Sequence, residues 1–309
     1  MDGRRCGSAV RRSSKEGNGP VRRLGFVVVV MLLVAGCSSG SASPAPSGGH
    51  APYALRATMH QAVPPESQFT WMPYAFITAD GVAVTQGAVP AIFPGPLLPN
   101  LQGAPISEAG FDRIVERASA LGLLDGDGDF APPDPMPGSL SGVIEMSVDG
   151  AMREVSGDPN SGIECVTTPC EPAPGSPEAF GTFWRELGDL RSLVGDELGA
   201  DTPYRPEGYA LLIGVAPPDD AEGLAPQVLP WPLETDLIET GVPIGDADVP
   251  RCATVRGEDA ATLEASFMTA NQLTQWVDPG ADPAEAQSIA VRPLLPGDDP
   301  CQDLFGLGG

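Results

Sequence analysis

Alternating apolar and polar positions predict two β-hairpins in the first half of the chain. The stretches YAFITADGVAVT (74–85) and VIEMSVDGAMREV (143–155) each place Asp-Gly between two runs typical of strands. Asp-Gly suits a type I′ turn, because glycine readily adopts the positive φ that this turn requires. We therefore predict two hairpins with their tips at Gly81 and Gly150.

An amphipathic helix is predicted after each hairpin. Ser107 and Ser176 are suitable N-cap residues. Pro177 fits a first helical turn, and Glu108 and Glu178 complement the helix dipole there. Apolar residues recur at helical spacing in both segments: Phe111, Ile114, Val115, Ala118 and Leu121 in the first, and Phe180, Phe183, Trp184, Leu187 and Leu190 in the second. Each helix therefore has one apolar face that can pack against a sheet.

The two hairpin–helix units share one spacing. Gly81 and Gly150 are 69 residues apart, and so are Ser107 and Ser176. This agreement predicts a structural repeat, with coincidence as the alternative because hairpin-plus-helix is a common motif. We predict an α+β fold, loop-rich and closed by two disulfides, in which an antiparallel sheet built from hairpin–helix units carries its helices on one face.

The carboxy-terminal part, residues 201–309, has strand and helix signals of its own. GYALLIGV (208–215) is typical of a strand, GEDAATLEASFMTANQL (257–273) of a helix, and QSIAVRPLLPGDDPC (287–301) of a closing strand and loop. We expect this part to complete the same sheet.

The segment AIFPGPLLPNL (91–101) is predicted to be irregular and extended. Its prolines exclude it from the centre of a sheet, because proline cannot donate to the hydrogen-bond ladder. We interpret it as a fixed surface connection between hairpin and helix, with docking of a partner as the alternative.

The amino terminus has the pattern of an export signal. Seven basic residues precede the apolar run Leu24–Ala35. That run is about twelve residues long, too short for a membrane span of roughly 20 residues. Val34-Ala35-Gly36-Cys37 resembles the bacterial lipobox, and the resemblance implies that Cys37 is lipidated and becomes the mature amino terminus. An ordinary signal peptide with a chance cysteine is the alternative.

These patterns divide the chain into three parts. Residues 1–36 are predicted to be a lipoprotein signal peptide, and residues 37–51 a disordered Ser/Gly/Pro tether. Residues 52–309 form the folded α+β body. Within it, residues 52–200 hold the two hairpin–helix units and residues 201–309 a disulfide-closed carboxy-terminal part.

The charge of the mature chain excludes several partners. Removal of residues 1–36 takes seven of 17 basic and two of 41 acidic residues, leaving ten arginines and 39 carboxylates. Nucleic acid needs Lys and Arg to neutralise its phosphates, so we predict no nucleic-acid partner. Anionic lipid also repels such a surface. We therefore expect the protein to be attached to the membrane by its lipid anchor alone. We interpret the acidity as favouring solubility rather than a specific cationic partner.

Four cysteines remain in the body after Cys6 is removed and Cys37 is lipidated: Cys165, Cys170, Cys252 and Cys301. An even number in an exported chain indicates disulfides. Three pairings are possible, and the spacing favours a local Cys165–Cys170 bond and a long Cys252–Cys301 bond. A four-cysteine metal site and a redox-active pair are the alternatives, but C-x4-C is not the spacing of either.

The chain has few histidines that could take part in catalysis. His50 and His60 are the two histidines, and both lie in or beside the predicted tether. A nucleophilic triad needs an imidazole held by the core, so we expect a solvated loop residue at His60. Phosphate-loop, dinucleotide and G-x-S-x-G motifs are absent from the sequence, and we predict no cofactor.

Acidic residues offer one candidate metal site. Asp125, Asp127 and Asp129 alternate as at the start of a calcium loop, but Phe130 and Met136 occupy the positions of the glycine and glutamate that an EF-hand requires. We interpret the stretch as an acidic loop and keep weak Ca²⁺ binding as the alternative.

Carboxylates and tryptophans are candidates for a site that acts on or binds carbohydrate. A glycosidase needs two facing carboxylates, yet the abundance of Asp and Glu prevents the sequence from selecting a pair. Trp184 lies on the apolar helix stripe and is predicted to be core. The sequence is compatible with two roles for the other tryptophans, a place in the core or part of a carbohydrate-binding platform: Trp71, Trp231 and Trp276.

Several motifs resemble those of a family of uncharacterised actinobacterial lipoproteins. They are AIFPGPLLPNL (91–101), YRPEGYAL (204–211), WPL (231–233), T-x-W (274–276) and RPLLP (292–296), the last two lying between Cys252 and Cys301. The resemblance covers most of residues 68–301. It implies an exported, anchored α+β protein with a Cys252–Cys301 bond, and it assigns no catalytic residue.

The sequence therefore predicts a non-catalytic binding or interaction module on the outer face of the cell membrane. Its partner would be an envelope protein or a small ligand. The alternatives are a carboxylate-dependent hydrolase of envelope glycan and a secreted inhibitor-like protein. A cleft with two facing carboxylates would favour the hydrolase, whereas an exposed apolar patch would favour the binding module.

Overall fold

The computed structural model describes residues 51–125, 128–132, 138–163, 171–215, 223–245 and 250–307, which belong to one compact body. The first elements are β1 (Tyr53–His60), α1 (Pro65–Gln68), β2 (Ala75–Thr78), β3 (Val82–Gln86), β4 (Leu101–Pro105), α2 (Glu108–Ala120), β5 (Asp129–Phe130), β6 (Ser141–Val148), β7 (Ala151–Gly157), α3 (Pro177–Leu187), α4 (Leu190–Val194) and β8 (Thr202–Pro203). The later ones are β9 (Gly208–Ile213), β10 (Val228–Pro230), β11 (Val242–Pro243), β12 (Arg251–Arg256), α5 (Gly257–Phe267), β13 (Gln275–Val277), β14 (Gln287–Pro293) and α6 (Pro300–Phe305).

Both predicted hairpins lie in one sheet of eight described strands, ordered β5-β7-β6-β1-β2-β3-β4-β8. Strand β1 pairs antiparallel with β2 on one side and with β6 on the other, so it joins the two hairpins. The other neighbours are also antiparallel except β5 and β7, which run parallel. The predicted α+β class with a largely antiparallel sheet is confirmed.

The two hairpin tips differ from each other. At the β6–β7 tip both Asp149 (φ 50°) and Gly150 (φ 76°) have positive φ, as the predicted type I′ turn requires. The prediction is wrong for the β2–β3 tip, where only Gly81 (φ 80°) is left-handed. There Thr78 accepts two bonds, from Gly81 N to its carbonyl (3.1 Å) and from Val82 N to its hydroxyl (2.9 Å). These bonds stabilise a three-residue loop instead.

The two predicted helices begin at their predicted caps. Ser107 Oγ accepts from Gly110 N (3.1 Å) at the start of α2, and Ser176 Oγ accepts from Ala179 N (3.2 Å) at the start of α3. Their apolar stripes enter one core cluster against the inward face of β1, β2, β6 and β7. The predicted stripe residues in that core are Ile114, Ala118, Leu121, Phe180, Phe183, Trp184, Leu187 and Leu190, of which Leu121 caps the end of α2 and Leu190 begins α4. Phe111 packs against the core while partly buried, and Val115 lies outside it. Both helices therefore pack on the same face of the sheet.

An ion pair joins α2 to α3. Arg117 Nε and Nη2 donate to Glu186 Oε2 and Oε1 at 2.9 and 2.8 Å. This hydrogen bonding raises the pKa of Arg117 above its ordinary value. Arg117 and Glu186 are 69 residues apart, so the offset found in the sequence also relates the two contacting positions.

Of residues 201–309, the short strand β8 joins the first sheet by pairing with β4, but the expectation that the closing helix–strand unit completes that sheet is wrong. Strands β9 to β14 form a second sheet, ordered β10-β13-β14-β9-β12-β11. Strand β9 is buried along its whole length and pairs antiparallel with both β12 and β14. It therefore lies at the centre of its own sheet, with Trp231, Phe267 and Trp276 packed in the core on one face.

The opposite face of the second sheet is closed by the predicted disulfide. Cys252 of β12 and Cys301 of α6 are bonded with a Cα–Cα distance of 5.7 Å, and both lie in a core cluster with Phe69 and Leu294. The predicted helix over 257–273 is too long at its end. Helix α5 ends at Phe267, and Asn271 then accepts from Leu273 N through its side chain (2.8 Å), which turns the chain toward β13.

Candidate functional site

The proline-rich segment between β3 and β4 is fixed against the second sheet. Leu97 N donates to Ala270 O (3.3 Å), and Gly95 N donates to Gln272 Oε1 (3.2 Å). Gln272 N returns a bond to Gly95 O (3.0 Å). No regular strand forms over residues 87–100, as the prolines predict. The segment is an ordered connection that bridges from the first sheet to the loop after α5.

Two open grooves flank this segment. The first has a volume of about 450 Å³ and is completed by Met72, Gln272 and β14. The second has a volume of about 490 Å³ and is completed by Tyr204, Tyr209 and Met268. The segment contributes five residues to both grooves: Val89, Pro90, Pro96, Leu98 and Pro99. Both volumes lie within the range of small-molecule and peptide pockets, about 300–1,000 Å³.

Large apolar side chains protrude between and beside the grooves. Val89, Ile92, Phe93 and Met268 are 56, 66, 42 and 72% exposed. Val89 lines both grooves, Ile92 the first and Met268 the second. We call the two grooves and these four side chains the apolar surface. A cluster of large exposed apolar residues is characteristic of interaction sites, whereas isolated ones are ordinary.

The apolar surface is almost free of charge. The described residues that line the first groove include none with a charged side chain, and those of the second include only Glu264. Glu264 lies 3.6 Å from Arg205 Nη2, which balances it. Burial raises the pKa of Tyr209 to about 12, further above the physiological range in which a tyrosine hydroxyl is already neutral. On a chain with 41 Asp and Glu residues and a formal net charge of -24, this surface has few charged side chains.

A second concavity, the polar cleft, has the opposite chemistry. It has a volume of about 330 Å³ and is formed by the end of β1, the 68–72 loop, β6, β7 and α6. At its floor Arg56 Nε contacts Glu145 Oε2 at 2.6 Å, and Arg292 Nη2 contacts Asp298 Oδ2 at 3.1 Å. Arg56 Nη1 also lies 3.9 Å from Asp298 Oδ1. The two pairs therefore form one network between the first sheet and the carboxy-terminal part.

Tyr53 covers one end of this network. Its hydroxyl donates to Glu145 Oε1 (3.1 Å), and its ring lies 4.8 Å from Arg56 Cζ in cation–π geometry. Burial raises the pKa of Tyr53 to about 12, with Arg56 opposing and Glu145 adding to the rise. Burial opposes the charge of Arg56, but the hydrogen bond and the charge of Glu145 outweigh it and raise the pKa of Arg56. Glu145 and Asp298 are thus occupied by arginines.

The polar cleft also contains carboxylates outside this network. Glu154 and Asp303 line it and form no ion pair with any residue that the structure describes. Burial raises the pKa of Asp303, and Arg56 partly opposes that shift. Sequence reasoning had no means of finding this cleft, because Arg56 and Glu145 are 89 residues apart and meet only through strand pairing.

Of the acidic loop at 125–129, the structure describes two of the three candidate calcium ligands, so weak Ca²⁺ binding there stays a prediction. Asp125 is exposed, and Asp129 in β5 accepts from Ala131 N through Oδ1 (3.0 Å). Asp127 lies outside the described residues. Nowhere in the described ranges do three or more His, Cys, Asp or Glu side chains gather as a metal would require. Cys37, Cys165 and Cys170 also lie outside the described residues, so the lipidation site and the local disulfide stay predictions.

The structure places His60 and the tryptophans more definitely than the sequence does. His60 is not in a loop beside the tether but is the last residue of β1, exposed and lining the polar cleft. His50 lies outside the described residues. Trp184, Trp231 and Trp276 are at most 3% exposed and belong to the cores. Trp71 is half-buried and also lines the polar cleft.

Comparison with protein-family models, curated proteins and solved structures finds no match for this chain. Across the described part of the chain, no helix has both the length and the apolar character needed to cross a bilayer.

Proposed function

We propose that this protein is a cell-envelope lipoprotein that acts as a non-catalytic binding module, and that its apolar surface docks a partner protein. One observation carries the docking proposal: the apolar surface combines four exposed large apolar side chains with two grooves whose described lining includes one charged residue, Glu264, on a strongly acidic chain. Depletion of charge at the centre of a patch is the compositional mark of protein–protein interfaces.

The shape and chemistry of the grooves favour an extended apolar segment of another protein. Proline and tyrosine side chains line the second groove, and such walls suit a preformed extended peptide. Both grooves are open to solvent, whereas a buried lipid chain would need an enclosed tunnel. The acidic surroundings favour basic residues flanking the bound segment, because opposite charges accelerate encounter.

The proposed location is supported by the sequence alone. A lipid on Cys37 would hold the chain at the outer face of the membrane. The tether Ser38–Ala51 would then separate the body from the lipid by about 20 Å, from roughly 5–6 Å times the square root of its length. The body would meet other envelope proteins there without binding the anionic lipid surface.

Photocrosslinking on intact cells tests the docking site. p-Benzoylphenylalanine replaces Ile92 in one variant and Ile238 in another; both residues are exposed isoleucines, at 66 and 57%, and Ile238 lies outside the apolar surface. We expect a protein adduct from position 92 that is absent from position 238. The crosslinked peptide should be apolar and flanked by Lys or Arg. Adducts to lipid, adducts to a second copy of this chain, or the same adduct from both positions would contradict the proposal.

The substitution Ile92→Asp is expected to abolish docking without unfolding the protein. A carboxylate in an apolar interface must be desolvated, so affinity for the crosslinked partner should fall at least about tenfold, equivalent to about 1.4 kcal/mol. Ile92 is exposed, so the free energy of unfolding should change by less than about 0.5 kcal/mol. Ile238→Asp is the matched control and should leave the affinity unchanged. Equal affinities of the two variants would locate the interface elsewhere.

A further inference from the structure

The polar cleft combines an aromatic wall with a charged floor that is already neutralised internally. Trp71 and Met59 line its wall, and the Arg56–Glu145 and Arg292–Asp298 pairs form its floor. Side-chain exposure is 22% for Arg56 and 2% for Asp298, so these charged groups are largely buried against their own partners. A concavity lined by an aromatic side chain and several convergent polar groups has the features of a small-molecule site.

Several polar groups at the rim stay available to a ligand. Glu154 and Asp303 form no ion pair with the described residues. Gln68 Nε2 donates to Gln61 O (3.2 Å) and Val63 O (3.1 Å), which orients its amide and leaves its carbonyl as an acceptor. Among the described residues, His60 has one side-chain hydrogen-bond partner, Thr58 Oγ1, which lies 3.3 Å from Nε2. The rim thus offers mainly acceptors of hydrogen bonds.

This set of groups matches a sugar better than other small ligands. The C–H face of a pyranose can cover the indole of Trp71, while its hydroxyls donate to carboxylate and amide oxygens. Four carboxylates line the cleft against two guanidinium groups, so phosphate and uronate ligands are repelled. The volume of about 330 Å³ lies near the lower end for small-molecule sites, about 300–1,000 Å³.

We propose that the polar cleft binds a neutral glycan, with the sugar stacked on Trp71 and held by Glu154, Asp303 and His60. This site shares only Met72 with the grooves of the apolar surface among the described lining residues, so it is independent of the protein-docking proposal. A protein anchored in the cell envelope could then bind a glycan at the polar cleft and a partner protein at the apolar surface.

Tryptophan fluorescence reports on this site directly. The chain has four tryptophans, and Trp184, Trp231 and Trp276 are buried, so acrylamide should quench mainly Trp71. The probes are chitotriose and maltotriose, added to the whole protein. We expect at least one of them to protect Trp71 from acrylamide in a saturable manner. Protection by neither trisaccharide would overturn the proposal.

Matched variants separate the site from the rest of the molecule. Trp71→Ala should lower the affinity for the protecting trisaccharide at least tenfold by calorimetry, and Trp71→Phe should retain part of it. Glu154→Gln should lower it about two- to tenfold, because one hydrogen bond to a charged acceptor is weakened. Phe93→Ala removes a 42% exposed aromatic of the apolar surface and should leave glycan affinity unchanged. Full affinity in Trp71→Ala would overturn the proposal.

Two further outcomes would also contradict it. Equal binding of a uronate trisaccharide would show that the cleft does not select neutral sugars. Release of new reducing ends from the bound trisaccharide would show that the cleft is catalytic, in line with a carboxylate-dependent hydrolase. The crosslink from position 92 does not depend on glycan binding, and the quenching result does not depend on that crosslink. The two experiments therefore test the two proposals independently.

Discussion

Replacing Cys252 and Cys301 together with serine is expected to lower the free energy of unfolding by about 4 kcal/mol. The bond closes a loop of 49 residues, and the chain-entropy account assigns about this value to a loop of that length. It also fastens α6 over the face of the second sheet that contains Phe69 and Leu294. Since natural domains have about 5–15 kcal/mol in total, this one bond is a large fraction of the stability.

Urea denaturation of the oxidised protein, followed by circular dichroism, measures this loss. The control is the double variant Cys165→Ser, Cys170→Ser, which removes the predicted short bond and should cost about 2 kcal/mol. A loss below about 1 kcal/mol in the Cys252/Cys301 variant would show that the long bond does not stabilise the fold in the way we describe. An unchanged control would show that the short bond does not form.

Removal of the Asp298 carboxylate is expected to cost about 3 kcal/mol of unfolding free energy. The side chain of Asp298 is 2% exposed and pairs with Arg292, whose own side chain is 12% exposed. Asp298→Ala leaves a guanidinium with little access to water and no neutralising partner, and an uncompensated buried charge is strongly destabilising. The variant also removes the contact between Arg56 and the carboxy-terminal part.

Thermal or urea unfolding of Asp298→Ala measures this effect, and an exposed ion pair of the same type is the matched control. Arg191 and Asp201 lie 3.6 Å apart with exposures of 52 and 58%, so Asp201→Ala should change the unfolding free energy by less than about 1 kcal/mol. Equal effects of the two substitutions would mean that the network beneath the polar cleft is not a structural element.

The parts of the fold that the sequence predicts are those with local causes. Asp149-Gly150 defines its own turn, and Ser107 and Ser176 cap helices through bonds to residues three positions away. Their apolar stripes follow from helical spacing alone. The second sheet has no such local cause. Strand β9 is buried on both faces and reads as one continuous apolar run, so its sequence does not indicate which strands it pairs with.

Strand β1 is the clearest example of what sequence reasoning missed. YALRATMH (53–60) mixes polar and apolar residues, and its inward side chains Leu55 and Ala57 are fully buried while Arg56 faces the network of the polar cleft. Its place at the centre of the first sheet depends on pairing with β2 and with β6, the latter about 90 residues away. The apolar residues Leu55, Ala57 and Met59 alternate with polar ones, which is the pattern of a half-buried strand, but this alternation does not indicate which strands β1 pairs with.

The two candidate sites also differ in how much of each could be predicted from the sequence. Prolines interspersed with apolar residues mark the 88–100 segment in the sequence and make partner docking one interpretation of it. Its lack of nearby charge depends on α5 and β14, which only the fold brings beside it. Nothing in the sequence relates Trp71 to Glu154 and Asp303, because three separate elements carry them.

Export is the central claim, because an envelope protein partner and an envelope glycan are both encountered only outside the membrane. Intact-mass analysis of the protein purified from membranes, with thiol alkylation before reduction, tests it most directly. We predict a chain that begins at Cys37, carries acyl mass on that residue and has no alkylated cysteine. A chain that retains residues 1–36, or one whose Cys165, Cys170, Cys252 and Cys301 are all alkylated, would contradict the account.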